Sequence, residues 1–317
     1  MANLHRRSLL ASAALATPAL LLGQRAALAE DLKTFRVGYQ KASVTLVLTK
    51  ARKAFEAKLA PLGWQVSWAE FTSGPPMLEA LAANAIDFAF TGEPPVIFAQ
   101  AAHTDLVYIA ATKPSPRAIG ILKPSGSKLE NVAALKGKQV AVAKGSSAHY
   151  LLISALAHAN VPYDSVTKVF LQPADARAAF ASGAVDAWSI WDPFYAGAQA
   201  AGASLLTNGE GLMANHGFYT AGRAFANKNP DILTQAIAVL NEQEQWEQTH
   251  QTETANLVAP GIGLPDAVLK IWFARQKYGV GKMTPEIFAD QQKIADVFFK
   301  LGLIPEQVDV TAARWTA

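Results

Sequence analysis

The sequence of 317 residues contains no cysteine. This absence excludes disulfide bonds, metal sites built on thiolates and catalysis by a thiol. It also leaves no residue to which a lipid anchor could be attached. With 51% hydrophobic and 17% charged residues, the chain has the composition of a globular protein that can bury a sizeable core.

Little net charge remains once the N-terminus is set aside. Arg6, Arg7 and Arg25 lie in residues 1–29, which hold no acid, so the rest of the chain has 25 basic and 25 acidic residues. A protein that binds nucleic acid needs clustered Lys and Arg to neutralise phosphates. We therefore expect no nucleic-acid partner.

Motifs for catalysis and cofactor binding are also missing. The six histidines show no spacing typical of metal ligands, and no nucleophile elbow, Walker loop or dinucleotide fingerprint occurs. The sequence therefore predicts no metal, no cofactor and no enzymatic activity.

The apolar run from Leu9 to Leu22 has 14 residues, fewer than the roughly 20 that a membrane span needs. It follows Arg6-Arg7 and precedes Ala27-Leu28-Ala29, which has the small-x-small form of a cleavage site. These features predict an export signal, a mature chain that starts at Glu30 and a location in the periplasm. The paired arginines resemble a twin-arginine (Tat) signal, and a general secretory signal with a basic end is the alternative.

Two segments about a hundred residues apart end alike, Asn84 to Pro94 and Gly183 to Pro193. Each has a small residue, a β-branched residue and Asp before a strand-like apolar run, and an acid followed by proline comes six residues beyond the Asp. Because proline cannot donate to a ladder, each strand should end there and present its last side chains at the rim of a sheet. The repeat indicates two lobes of similar build.

Strands alternate with helices around both segments, which implies an α/β fold with mainly parallel sheets and right-handed crossovers. One helix is predicted from about Thr45 to Leu59. The last third is mainly helical, with helices that start at Pro230 and Pro285. The predicted boundaries are 1–29 for the signal peptide, 30–116 plus 220–317 for the first lobe, and 117–219 for the second lobe.

The segment Lys144 to His149 is the strongest candidate for binding chemistry. A strand that passes through Gly-Ser-Ser into a helix points backbone N–H groups and hydroxyls at one spot, which favours an anion. The simpler interpretation is that Ser146 only caps its own helix. Gln40 and Lys41 occupy the equivalent place in the first lobe, although a lone surface lysine is the commoner explanation.

The ends of the repeat should face each other across a cleft, Thr91-Gly92-Glu93 on one side and Trp191-Asp192 on the other. The two acids either bind a substrate cation or, as we favour, accept local donors that keep them ionised. Trp191 is either an exposed apolar wall or part of the core. The loop Thr72 to Pro75 offers a further N–H group, and Asn215 to Tyr219 either lines or packs the cleft.

Together these motifs resemble the periplasmic solute-binding proteins of ABC importers for aliphatic sulfonates, with taurine and nitrate binders as relatives. The resemblance rests on Val37 to Lys41, Gly74-Pro75, Thr91 to Glu93, Lys144 to His149 and the block Pro173 to Pro193. It implies a two-lobed periplasmic-binding-protein fold (type II) that closes on its ligand and delivers it to an ABC permease in the inner membrane.

The resemblance also implies the ligand. A sulfonate is a permanently ionised tetrahedral anion that needs several fixed donors and no proton chemistry, and aromatic residues favour an alkyl or aryl group beside it. We expect a monomer. Nitrate, taurine or a heterocycle as ligand are the alternatives, as is an enzyme similar to those of thiamin-pyrimidine synthesis. The predicted ligand-binding residues are Gln40, Lys41, Gly74, Pro75, Thr91, Gly92, Glu93, Ser146, Ser147, His149, Trp191, Asp192, Phe218 and Tyr219.

Overall fold

A computed structural model describes residues 33–316 of the protein. The predicted export signal, with its paired arginines and its cleavage site near Ala29, lies outside the described residues. Within 33–316, no helix combines the length and the apolar character that crossing a bilayer requires.

Strands and helices alternate along most of the chain, as predicted. The strands are β1 (Lys33–Tyr39), β2 (Trp64–Glu70), β3 (Phe88–Gly92), β4 (Leu106–Thr112), β5 (Ile119–Lys123), β6 (Gln139–Val142), β7 (Thr167–Phe170), β8 (Ala187–Trp191), β9 (Ser204–Asn208), β10 (Gly217–Gly222) and β11 (Val280–Gly281).

The helices are concentrated between strands and in the last third of the chain. They are α1 (Val44–Ala51), α2 (Ala54–Leu59), α3 (Gly74–Ala82), α4 (Glu93–Ala101), α5 (Ser147–His158), α6 (Pro173–Ala181), α7 (Phe194–Ala200), α8 (Arg223–Lys228), α9 (Pro230–Thr249), α10 (Gln251–Ile262), α11 (Asp266–Phe273) and α12 (Pro285–Lys300).

The strands form two sheets, in the order β11-β4-β10-β3-β1-β2 and the order β7-β6-β8-β5-β9. In the first sheet β1 pairs in parallel with β2 and β3, and in the second β6 pairs in parallel with β7 and β8. β10 in the first sheet and β5 in the second are antiparallel to both of their neighbours, and β11 pairs antiparallel with β4 at the edge of the first sheet. The predicted α/β class with two helix-flanked sheets is confirmed.

The repeated segments end on equivalent strands, β3 and β8. The Asp that opens each repeat has the same role in both. Asp87 accepts the backbone N–H of Arg36 at 2.9 Å, and Asp186 accepts that of Gln139 at 2.8 Å. Each carboxylate thus fixes the register of a strand against the central parallel strand of its sheet. The repeated sequence pattern therefore corresponds to a repeated hydrogen bond in the structure.

The helical last third packs on the first sheet. Leu233 and Val239 of α9 are buried in one core with Phe35 and Val37 of β1. The helix starts predicted at Pro230 and Pro285 are confirmed, and the Thr284 side chain caps α12 by accepting the N–H of Ile287. The lobe boundaries near residues 116 and 220 remain a prediction.

The helix predicted from Thr45 to Leu59 is wrong as a single element. The backbone at Lys53 is left-handed, with φ of 52°, and separates α1 from α2. The break redirects the chain so that Phe55 and Leu59 both point into the core, where they are fully buried. Packing here outweighs the local helical pattern.

Two connections join the sheets, one between β4 and β5 and the other between β9 and β10. They run side by side and are hydrogen-bonded to each other. The Ser115 N–H donates to the Asn215 carbonyl at 3.3 Å, the Asn215 side-chain amide donates to the Ser115 carbonyl at 2.8 Å, and the Gly209 N–H donates to the Pro116 carbonyl at 2.9 Å.

Candidate ligand-binding site

A cavity of about 120 Å³ lies where elements of the two sheets meet. One buried water needs only roughly 10–15 Å³ of such space, so the cavity is large enough for a small organic molecule. The first sheet and its helices contribute Gln40, Ser43, Thr45, Gly74, Phe90, Thr91, Gly92, Pro95, Tyr219, Glu244 and Trp272, and the second contributes Ser146, Ser147, Trp191 and Asp192.

Four helices begin at this cavity, α1, α3, α4 and α5. Their first residues or N-caps are among the lining residues, namely Ser43, Gly74, Gly92 and Ser146. The first N–H groups of an α-helix have no intrahelical acceptor, and the aligned peptide dipoles place partial positive charge there. The cavity is therefore built to attract an anion.

Two glycines allow the surrounding elements to approach closely. A β-carbon added at Gly74 would overlap the Thr91 hydroxyl and lie 2.6 Å from Pro95 Cγ, and one added at Gly92 would overlap the Ser147 hydroxyl. Gly74, Thr91, Gly92 and Ser147 therefore form one compact group at the starts of α3, α4 and α5, and this group is called the anion end of the cavity below.

Thr91 brings a hydroxyl to this end. Its side chain is fully buried, and within residues 33–316 its Oγ1 has no hydrogen-bond partner. A buried polar atom left without a partner costs free energy, of the order of 1–3 kcal/mol. A ligand that supplies the missing partner would recover that cost.

Ser146 and Ser147 have different roles. The Ser146 hydroxyl donates to the Ala143 carbonyl at 2.7 Å and accepts the His149 N–H at 3.3 Å, so it caps α5 and is already engaged. This contact agrees with the simpler interpretation of Ser146 as a helix cap. Ser147, the first residue of α5, places its hydroxyl against Gly92.

Glu93 lies behind the cavity lining and is almost completely buried. Its Oε1 accepts the His216 N–H at 2.9 Å, as expected for an acid that accepts a local donor. Burial raises the pKa of Glu93 to about 8, however, so the expectation that it stays ionised is wrong. The backbone N–H groups of His216 and Asn215 do not offset the loss of hydration around the carboxylate.

Asp192 borders the cavity, and donors already occupy its carboxylate. Arg275 Nη1 lies 3.1 Å from both oxygens, and the Ala196 N–H donates to Oδ1 at 2.8 Å. Burial raises the pKa of Asp192 to about 6, against the opposing effect of Arg275. Asp192 is therefore ionised at neutral pH, as expected, and links β8 to the segment after α11.

Nine of the fourteen predicted residues line the cavity, namely Gln40, Gly74, Thr91, Gly92, Ser146, Ser147, Trp191, Asp192 and Tyr219. The Gln40 amide is partly used, because it donates to the Phe90 carbonyl at 3.1 Å. Trp191 is only half-buried and forms a wall, together with the buried Trp272.

Five predicted residues are placed elsewhere, namely Lys41, Pro75, Glu93, His149 and Phe218. Lys41 lines a second cavity beside Pro193, and its Nζ lies 3.9 Å from Glu70 Oε1. Phe218 points to the opposite face of β10 from its lining neighbours Gly217 and Tyr219, because side chains alternate along a strand.

His149 supports the start of α5 from behind. Its Nδ1 accepts the Gly145 N–H at 3.2 Å, and its Nε2 lies 2.7 Å from the Tyr163 hydroxyl. Burial, with smaller effects of Lys168 and Lys144, lowers the pKa of His149 to about 4, so the imidazole is neutral. The ring fixes the Gly-Ser-Ser turn and does not face the cavity.

The sequence analysis missed the lining residues Glu244, Trp272, Gln276 and Lys277. Glu244 lies within α9 and Trp272 within α11, and the other two follow α11 in a polar stretch that by itself predicts only a loop. These residues reach the cavity through packing of the last third on the first sheet, for which no local signal exists.

Comparison with known proteins gives one protein family and several close relatives. Residues 66–251 match the family described as NMT1/THI5 like. Over 285 residues, which cover 89% of each chain, the protein is 39% identical to the aliphatic sulfonates-binding protein of Escherichia coli (strain K12).

Solved structures agree with this match. The alkanesulfonate-binding protein SsuA of Xanthomonas axonopodis pv. citri, bound to MOPS, is 40% identical and superposes with a TM-score of 0.87 over 90% of this chain and 98% of that one. The periplasmic aliphatic sulphonate binding protein SsuA of Escherichia coli is 38% identical, with a TM-score of 0.82 over 89% of this chain and 97% of that one. The relatives are binding proteins by name, as predicted for this chain.

Proposed function

The chain belongs to the NMT1/THI5-like family and to its aliphatic-sulfonate-binding members, and on that basis we propose that it is the solute-binding component of an ABC importer for organosulfonates. The observation that carries the proposal is the anion end of the cavity. There the starts of α3, α4 and α5 meet around the Thr91 hydroxyl, which has no hydrogen-bond partner in the described part of the chain.

A sulfonate suits this environment for a chemical reason. Its charge is permanent, so the anion cannot escape the cost of burial by taking up a proton and needs fixed donors. Helix N-terminal N–H groups with the Thr91 and Ser147 hydroxyls would provide such donors, and Lys277 adds a cation to the lining. The apolar portion of the ligand would pack on Trp191 and Trp272.

Thr91→Val tests this assignment, because valine keeps the shape of threonine and removes only the hydroxyl. We expect sulfonate binding to weaken by about 10- to 150-fold, since a hydrogen bond to a charged group contributes roughly 1.5–3 kcal/mol. The free protein should unfold at the same temperature or slightly higher, because an unsatisfied buried group is removed.

Thr220→Val is the matched control. Thr220 is also fully buried, and its hydroxyl likewise has no partner in residues 33–316, but it does not line the cavity. Titration calorimetry with alkyl and aryl sulfonates, sulfate, nitrate and taurine would measure both variants. Equal affinities in wild type and Thr91→Val would show that Thr91 does not bind the ligand. Binding of nitrate but of no sulfonate would favour the alternative in which nitrate is the ligand.

The buffer matters in these titrations. MOPS, which is bound in the Xanthomonas structure, is itself an organic sulfonate. A buffer of that type would compete for the cavity, as would the tetrahedral phosphate anion, so Tris should be used throughout.

We further propose that the protein acts in the periplasm as a monomer, after the signal peptide is cleaved near Ala29, and hands its ligand to an inner-membrane permease. Arg6→Lys with Arg7→Lys keeps the basic charge but removes the paired arginines. Loss of export in this variant supports the twin-arginine route, and unchanged export supports the general one. Sulfonate uptake in a strain deleted for the gene tests the link to a permease.

A further inference from the structure

A carboxylate, Glu244 of α9, lines the cavity away from the anion end. Its side chain lies beside the start of α1, with Oε1 3.4 Å from the Thr45 hydroxyl, and its Oε2 accepts the Gly279 N–H. The residue is only 5% exposed. A buried acid is unexpected in the wall of a cavity that binds an anion, because it would repel that anion.

Glu244 is not neutralised by a neighbouring cation. Among residues 33–316 it forms no ion pair within 4 Å, and the other acid of the lining, Asp192, is already paired with Arg275. Lys277 of the lining likewise forms no ion pair in the described part of the chain. Within residues 33–316, the lining thus contains one carboxyl group, of Glu244, and one ammonium group, of Lys277, that form no ion pair.

The acceptor capacity of Glu244 is also incompletely used. The Thr45 hydroxyl lies 3.4 Å from Glu244 Oε1 and 3.4 Å from Glu247 Oε2. A hydroxyl carries one hydrogen and can donate to only one of them, and 3.4 Å is long for such a bond. Oε1 is therefore left with lone pairs for a donor in the cavity.

We propose, resting on the function proposed above, that the preferred ligand is a zwitterionic organosulfonate whose protonated amine binds Glu244 while its sulfonate occupies the anion end. Such a ligand has no net charge. Its ammonium and sulfonate groups are complementary to the carboxylate of Glu244 and the ammonium of Lys277 in the lining. An ammonium group supplies the donors that Oε1 lacks, and its burial against a carboxylate gives a charge-assisted hydrogen bond.

The test compares two probes of nearly equal size, 3-aminopropane-1-sulfonate and butane-1-sulfonate, in which an ammonium replaces a methyl group. We expect the wild-type protein to bind the amine at least about tenfold more tightly. Glu244→Gln should bring the ratio of the two affinities close to one, because the amine loses its charge-assisted hydrogen bond and butane-1-sulfonate has no such bond to lose.

Glu247→Gln is the matched control, because Glu247 lies three residues further along α9, is fully buried and does not line the cavity. This variant should keep the preference for the amine. The proposal is overturned if the wild type does not prefer the amine, or if Glu244→Gln leaves the ratio unchanged. In both cases butane-1-sulfonate still binds, whereas failure of every sulfonate to bind would contradict the function itself.

If Glu244→Gln does not fold, the proposal can still be tested by the pH dependence of binding to the wild-type protein. Burial raises the pKa of Glu244 to about 7, whereas the amine of the probe stays protonated at pH 6 to 8. The preference should therefore be larger at pH 8 than at pH 6. Titratable or charged groups around Glu244 are Glu247, Tyr219 and Tyr278 on the buried side and Lys277, Asp192 and His216 in the lining.

Effects of those groups on the sulfonate are common to both probes and cancel in the affinity ratio. A ratio that is independent of pH and close to one would show that Glu244 only balances the positive end of α1.

Discussion

Gly92→Ala should weaken ligand binding, because a β-carbon at this position would collide with Ser147 where the start of α4 contacts the start of α5. Gly92 caps α4, and its backbone, with φ of −75° and ψ of −173°, is one that alanine adopts without strain. An added β-carbon would overlap the Ser147 hydroxyl and lie 3.3 Å from Ser147 Cβ, whereas real Cβ atoms essentially never come within 3.0 Å of another atom. The perturbation is therefore confined to this contact.

The steric overlap between the added β-carbon and the Ser147 hydroxyl can be relieved in two ways. Either the Ser147 hydroxyl rotates away, which removes one donor from the anion end, or α4 and α5 move apart, which lengthens several hydrogen bonds at once. Loss of one charge-assisted bond alone is worth roughly 1.5–3 kcal/mol, or about 10- to 150-fold in affinity. We expect at least this loss for butane-1-sulfonate in titration calorimetry.

Gly222→Ala is the control, because Gly222 also caps a helix with extended backbone but has open space around its β-position. The loss of a glycine cap should therefore cost both variants a similar amount of stability. Ser147→Ala and the double variant Gly92→Ala with Ser147→Ala distinguish rotation of the Ser147 hydroxyl from separation of α4 and α5. Equal losses in the three variants indicate a displaced hydroxyl, and a larger loss in Gly92→Ala indicates separation of the helices. Affinities of Gly92→Ala and Gly222→Ala that are the same would refute the reasoning.

Three further predictions concern buried charges. Because burial raises the pKa of Glu93 to about 8, wild-type unfolding free energy should fall as pH rises from about 4.5 through 8. Glu93→Gln should make this fall smaller and be more stable than the wild type near pH 9 by a few kcal/mol in urea unfolding, while the buried Asp192 and Glu244 keep part of the pH dependence. The pKa of His149 is lowered to about 4, so stability should be lost as pH falls from about 6.5 through 4, and His149→Gln should flatten this acid-side slope. Arg275→Met leaves the buried carboxylate of Asp192 without its cation and should destabilise the protein by about 3 kcal/mol at pH 7. An unchanged melting temperature would contradict that expectation.

Local sequence patterns predicted much of the frame of the molecule. The acid-proline ends located β3 and β8, and the start of α5 at the Gly-Ser-Ser turn followed from capping residues. These features depend on neighbours within a few positions of the chain. For the same reason, nine predicted residues line the cavity at strand ends and helix starts.

The features of the fold and of the site that were not predicted depend on packing between distant parts of the chain. The antiparallel strands β5 and β10 were not predicted, because only the route through the two connections decides their direction. His149 was assigned to the cavity because it lies two residues after Ser147, but two residues of helix rotate the side chain by about 200° and carry its ring to the other side. Glu244 and Lys277 lie about a hundred residues or more beyond the serines, and no local pattern places them beside the ligand.

The hydrogen bonds between Ser115 and Asn215 make the two connections a single ribbon. Twisting one connection against the other would break these bonds, whereas bending both together about an axis across the ribbon leaves them intact. We therefore expect bending of the ribbon to cost less free energy than twisting it. Connections that bend but do not twist would allow few relative arrangements of the two sheets, so little conformational entropy would be lost when a ligand holds them in one arrangement.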